Sequence, residues 1–225
     1  MTTSSMRAKY YVALIMLPIF MLFVQSIWAI GLQHLTQGLF SGGVLLCLTL
    51  MGTAGSLLAL TLFWLNQTGR NTKQYLALQK FSPKLLMVFL ALLLMVGVIS
   101  QMIGQYFSLT SHDFILPFLF NTPSWLLWLA VGVAVPIYEE LIFRGLLWQI
   151  GERLLGYRPW LMILFNGFLF AIIHLQYQPI EMGLVLMLSW VFGAARHYAN
   201  SLILPIILHA INNTWVLAWV LWTYT

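Results

Sequence analysis

Long apolar runs separated by short polar breaks dominate the chain. A spanning helix needs about 20 apolar residues at ~1.5 Å rise each. By that test seven spans are expected, at about 10–32, 39–65, 85–107, 124–148, 160–178, 180–198 and 201–223. The piece "FILPFLF", residues 114–120, is too short to cross and is expected at the interface or as a re-entrant eighth element. "NTPSW" after it has the form of a helix start with proline in the first turn. "MTTSSMRAK" shows no small-residue cleavage site, so the first apolar run is expected as an uncleaved span.

Composition agrees with the pattern. The 225 residues are 61% hydrophobic and 7% charged, with mean hydropathy +0.91. A soluble domain carries about a quarter charged residues, so the fold class is all-α, a polytopic helical membrane bundle. The single cysteine, Cys47, supports no disulfide framework and is expected in helix packing. Gly52, Gly55 and Ser56 read as close helix contacts, and Trp64, Trp125, Trp148, Trp160 and Trp222 as interfacial anchors.

The net charge of +5 is confined to alternate loops. Arg7 and Lys9 precede the first span, Arg70, Lys73, Lys80 and Lys84 fill the second loop, Arg153 and Arg158 follow the fourth span, and Arg196 closes the sixth. The intervening loops hold no lysine or arginine. A cytoplasmic N-terminus and an outside C-terminus follow from that one-sidedness, in the cell inner membrane if the source is bacterial. His34, His112 and His197 fall at expected helix ends or loops, and Glu152 and Glu181 read as loop charges.

The second half carries polar residues that a lipid-facing helix would not. Glu139, Glu140 and Arg144 fall in span four, Asn166 and His174 in span five, and His209, Asn212 and Asn213 in span seven. Ionisable groups inside a bundle face its interior and mark a pathway or a site. Glu140 and Arg144 are four apart and can pair along one face, which leaves Glu139, about 100° round, as the freer carboxylate. His209 and Asn213 are also four apart. Pro136 and Pro205 shortly precede the two key positions and are expected to kink their helices. Counted from the cytoplasmic ends, Glu139 and His209 lie roughly 12 Å deep and His174 nearer ~20 Å. Asn166 reads as an interhelical hydrogen-bond donor rather than a catalyst.

A carboxylate, two imidazoles and an amide around one cavity suit hydrolysis of an amide by activated water. Two imidazoles and a carboxylate would also suit a divalent metal, with Glu139, His174 and His209 as ligands, although no "HExxH" motif occurs. A transporter or proton relay uses the same residue types. A carrier, however, would show related halves, and here the polar residues fall in one half.

Three short patterns in order narrow these readings. "EELIFRG" joins Glu139 and Glu140 to Arg144, "FAIIH" joins Phe170 to His174, and "HAINN" joins His209 to Asn213. Together, over about residues 124–217, they resemble the CPBP family (CAAX proteases and bacteriocin-processing enzymes, also called Abi), which are intramembrane endopeptidases. The resemblance implies Glu139 as the water-activating carboxylate, helped by His174, with His209 and Asn213 stabilising the oxyanion. Glu140 and Arg144 would support the site and Phe170 would shape its wall. It implies residues 1–110 as membrane helices without recognisable motifs and 111–225 as the catalytic core. No cofactor is favoured, zinc being the alternative. The implied partners are a peptide or protein substrate, including lipidated or membrane-associated ones, and the lipid bilayer, with no nucleic acid. The competing class is a non-catalytic membrane protein, such as a bacteriocin-immunity or scaffold factor.

The charge map makes a direct prediction. Reporter fusions at Gly69 and after Thr225 should localise to opposite sides of the membrane; the same side for both would break the seven-span map.

Overall fold

The computed structural model describes residues 4–109, 115–119, 121–155 and 158–224. Among these residues every regular element is helical. The long helices are α1 (Ser4–Thr36), α2 (Gly42–Gln67), α3 (Pro83–Tyr106), α4 (Ser124–Leu155), α5 (Pro159–Ile172), α6 (Pro179–Ala199) and α7 (Ile203–Tyr224). Single turns stand at Thr72–Tyr75 and Leu116–Leu119. His112 lies outside the described residues, as do both ends of the expected 114–120 element.

Six of the seven helices are long and apolar enough to cross a bilayer, and α5 is the shorter one. Its 14 residues reach ~21 Å, less than the ~30 Å hydrocarbon core. The expected span 160–178 is therefore too long. The chain leaves the helix at Ile173, turns through residues 173–178, and re-enters as α6 behind Pro179. A capping box marks the entry: the Gln178 N–H donates to Glu181 Oε2 at 2.8 Å, and Gln178 in turn takes an N–H at residue 181. Glu181 is thus a buried cap and not a loop charge.

Helix α4 is the centre of the bundle and runs seven residues past its expected end at 148. The depth comparison changes accordingly. Glu139 is 16 residues, ~24 Å, from the end of α4 at Leu155, and His174 is 15 residues, ~22 Å, from the start of α5 at Pro159. By this count Glu139 and His174 agree, whereas His209, six residues (~9 Å) from the start of α7 at Ile203, no longer matches Glu139. Pro205 sits in the first turn of α7, where its missing N–H has no helical partner to lose, so it does not interrupt that helix.

The apolar core has a main cluster joining α1, α2, α4 and α7, and a second joining α3, α6 and α7. A third, of Leu65, Leu76, Leu141 and Leu202, seats the 70–80 loop against α4. Cys47 is buried in the main cluster. Gly52 lies under the Trp28 ring, where an added Cβ would come within 2.5 Å of Trp28 Cδ2, while the Trp28 indole N–H donates to Ser56 Oγ at 2.9 Å. Gly55 faces open space and makes no close helix contact. Trp64, Trp125, Trp160 and Trp222 are exposed as anchors should be, but Trp148 is buried, donating to Glu152 Oε1 at 2.7 Å. Its position within α4, seven residues short of the helix end, puts it inside the packing.

The two ends differ in character. At one, Arg153 donates to Tyr10 Oη at 3.2 Å, Arg70 lies over Trp64 and Tyr75, and Ser201 Oγ donates to the Gln79 carbonyl at 2.6 Å. At the other, Ser41 Oγ donates to the Asn121 carbonyl at 3.0 Å and Thr122 Oγ1 to the Phe118 carbonyl at 2.8 Å. The basic loops share one end.

The Trp28–Gly52 contact is tight enough to test. Gly52→Leu should lower stability by about 1–3 kcal/mol through overpacking, seen as a lower melting temperature in detergent, whereas Gly55→Leu should have little effect.

Candidate functional site

The site is built on an irregular stretch of α4. Two wide π-type turns, Trp128–Ala134 and Leu141–Leu147, flank the α-helical Val135–Glu140 that carries the two glutamates. At the end of the first, the Val135 N–H bonds Ala130 O, five residues back. In that register the next donor would reach Val131 O, and the next residue is Pro136, which has none. The Asn213 amide supplies the bond instead, Nδ2 donating to Val131 O at 3.1 Å. The second wide turn is served in the same way. Asn166 Nδ2 donates to Phe143 O at 2.6 Å and Arg196 Nε to Arg144 O at 3.1 Å.

Arg144 is fully buried, as is Glu140. The guanidinium Nη1 donates to Glu140 Oε1 at 3.1 Å, and Nη2 donates to Ser189 O at 2.9 Å and to Ser189 Oγ at 2.5 Å. Its Cζ lies 4.7 Å from the Phe170 ring centroid and 5.7 Å from that of Phe192. Cation–π attraction is largest in such desolvated settings. Glu140 Oε1 also accepts from His209 Nδ1 at 2.9 Å, so one carboxylate oxygen ties α4 to α7. His209 is stacked on Phe192 at 4.9 Å and meets Phe170 edge-on at 5.9 Å.

Glu139 is held differently. It is 7% exposed, its Oε2 has no hydrogen-bond partner, and His209 Nε2 stands 3.8 Å from that oxygen. That distance is beyond a direct hydrogen bond and suits a shared water or substrate atom. His174 lies just past the end of α5, where its Nδ1–H donates to the Phe170 carbonyl at 2.7 Å. The tautomer so fixed leaves Nε2 as the acceptor. Its ring packs on Phe170 at 4.7 Å and on Tyr177 at 6.0 Å. Burial pushes the Tyr177 phenol up to about 12, with the charges of Glu139 and Glu181 adding to it.

Glu139, Glu140, Arg144, Phe170, His174 and His209 therefore form one cluster. Asn213 stands a turn further along α7, with one amide hydrogen on Val131 O and its Oδ1 taking Asn212 Nδ2 at 3.4 Å. Its second amide hydrogen is left for other use. Sequence reasoning missed Ser189, Phe192, Tyr177 and Arg196. The first three lie far along the chain from Arg144 and Glu139, so no local spacing signals them. Arg196 is buried against Trp148, with Cζ 5.5 Å from the ring, and is no loop cation.

Each histidine has an acceptor behind Nδ1, Glu140 for His209 and Phe170 O for His174. Backing of this kind is common for metal ligands. Even so, among the described residues no three His, Cys, Asp or Glu side chains converge closely enough to hold one ion.

Comparison with known proteins covers the part of the chain that holds this cluster. Residues 121–215 match the family of Rce1-like type II CAAX prenyl endopeptidases. Through this segment, which is less than half of the chain, it is similar to the CAAX protease, or CPBP, family. A curated relative, an uncharacterized 24.3 kDa protein of Escherichia coli, is 28% identical over 82 residues, which span 36% of this chain and 38% of that protein. No solved structure matches the chain. The matched segment begins at Asn121 and takes in α4, α5, α6 and α7 as far as Trp215. It holds the whole cluster, and the first three helices lie outside it.

Arg144 is the residue whose loss should be most damaging to folding. Arg144→Ala leaves Glu140 buried without its cation and should cost about 3–5 kcal/mol. Arg144→Lys should rescue little, because an ammonium cannot reach Glu140 and Ser189 as a planar fork. Yield and melting temperature of the purified variants check both.

Proposed function

We propose that this chain is an intramembrane endopeptidase in which Glu139 activates water. The observation that carries the reading is the asymmetry of the two adjacent carboxylates. Glu140 Oε1 is shared by Arg144 and His209 while its Oε2 has no partner, and Glu139 Oε2 is likewise buried without a partner but stands 3.8 Å from His209 Nε2. A water at Glu139 would give its proton to the carboxylate, and its oxygen would attack the peptide carbonyl carbon. The His174 Nε2 lone pair would orient that water. The oxyanion formed would be met by His209 Nε2–H and the second Asn213 amide hydrogen. Collapse of the intermediate breaks the C–N bond, and the proton held by Glu139 passes to the leaving amine.

Donation from His209 through Nε2 requires the doubly protonated ring, since Nδ1–H is engaged with Glu140. With Arg144, that ring would balance the charges of Glu139 and Glu140. The substrate class is a peptide or protein, lipidated or otherwise membrane-associated, cut near the level of the Glu139–His209 gap. The basic end of the bundle faces the cytoplasm in this reading.

Glu139→Gln preserves shape and hydrogen bonding but removes the base. It should lower cleavage by at least ~10²-fold with an unchanged melting temperature. Comparative peptidomics of cells carrying either form gives activity and substrate together. Wild-type cleavage by Glu139→Gln would remove this residue from the mechanism.

A further inference from the structure

All five acidic residues of the chain lie at Asp113 or beyond, so six basic residues of the first 112 have no carboxylate in their own half. Four of the six, Arg70, Lys73, Lys80 and Lys84, stand in one loop between α2 and α3. The acids of the described second half are committed elsewhere: Glu139, Glu140 and Glu181 are buried and Glu152 takes the Trp148 indole. Among the described residues no ion pair reaches Lys73 or Lys80.

These two lysines are exposed on an open face of the loop. With Asn71, Gln74 and Gln79 they line a cavity of about 480 Å³. The wall is pre-formed, because the loop is fastened to the bundle. Leu76 and Ala77 are buried, Leu202 N–H donates to Ala77 O at 3.0 Å, and Ser201 Oγ donates to Gln79 O. Leu76 also packs with Leu141, the residue after Glu140. The cavity thus combines two unneutralised ammonium groups with the amide side chains of Asn71, Gln74 and Gln79, a donor set for a phosphodiester.

Its level in the bundle selects the source of that phosphate. Trp64 and Tyr75 meet edge to face at 5.6 Å beneath the Arg70 guanidinium, an aromatic and cationic belt of the kind found at headgroup depth. One turn into the flanking helices, Phe63 and Met87 are exposed and apolar, as surfaces for acyl chains. We infer that the Asn71–Lys80 cavity is a binding site for the headgroup of an anionic phospholipid, held by Lys73 and Lys80. The site is separate from the Glu139 cluster, and its test does not depend on peptidase activity.

The full chain in neutral detergent is titrated with phosphatidylglycerol or phosphatidylcholine, and retained lipid is counted by native mass spectrometry. Phosphatidylglycerol should be retained in preference. The double variant Lys73→Gln, Lys80→Gln should lose that preference by roughly tenfold, since each surface lysine contributes a several-fold effect. Lys9→Gln, a basic residue away from the cavity, should keep it. Both lysines are exposed, so the variant should fold, and an unchanged melting temperature verifies this. Equal retention of the two lipids by the wild type overturns the proposal. So does an unchanged preference in the double variant, or a Lys9→Gln loss as large as the double variant's. Displacement of phosphatidylglycerol by millimolar inorganic phosphate would make this a site for free phosphate instead.

Discussion

A guanidinium with no solvent exposure, in a helix that crosses lipid, sets the terms for the rest of this structure. Charge at that depth is tolerated only when paired and hydrogen-bonded from several sides. Arg144 meets those terms by drawing on three other elements besides its own helix: Ser189 and Phe192 of α6, Phe170 of α5 and, through Glu140, His209 of α7. Four helices are thereby fixed relative to one point. A single hydrophobic replacement could not do this, since apolar contacts specify neither direction nor partner.

The backbone of α4 obeys the same rule in a second form. No water is at hand in the bilayer core to satisfy a carbonyl that a wide turn or a proline leaves unpaired. Here three such carbonyls, of Val131, Phe143 and Arg144, each receive a side-chain donor, from Asn213, Asn166 and Arg196 in turn. Each donor comes from a different helix, α7, α5 and α6. The irregular backbone around the glutamates and the packing of the helices around α4 are therefore one arrangement.

What the sequence discloses follows from the range of each interaction. The Glu140–Arg144 pair is four residues apart, and helical geometry alone foretells it. That Glu139 is the freer carboxylate follows from the same geometry. Asn166 as an interhelical donor follows from the scarcity of amides in lipid. Ser189, 45 residues from Arg144, has no such signature, for a serine in an apolar helix reads as a small packing residue. Arg196 and Glu181 were misplaced as loop charges because a helix end in sequence is not always an end in space. Arg196 sits against Trp148 because α4 continues to Leu155 and shields it. The length of α5 was equally hidden: hydropathy runs on past Ile172, but the Nδ1–H of His174 bonds Phe170 O and the chain turns there.

Two neighbouring carboxylates in one buried cluster would repel each other unless their surroundings differed, and the differences here all run one way. Glu140 faces Arg144 and the Nδ1 edge of His209, and spends its charge on structure. Glu139, about 100° further round α4, receives only the more distant Nε2 edge of the same ring. His209 thus lies between the two roles, anchored by one nitrogen and presenting the other to the gap beside Glu139. Phe192 stacked on one side of that ring and Phe170 edge-on to it hold its orientation, so the geometry of the gap is set by α5 and α6 although neither supplies a charge to it. The adjacency of the glutamates then has a physical reason. In the proposed peptidase reading, placing the structural carboxylate one residue from Glu139 would let a single histidine transmit the position of the buried arginine to the gap beside Glu139.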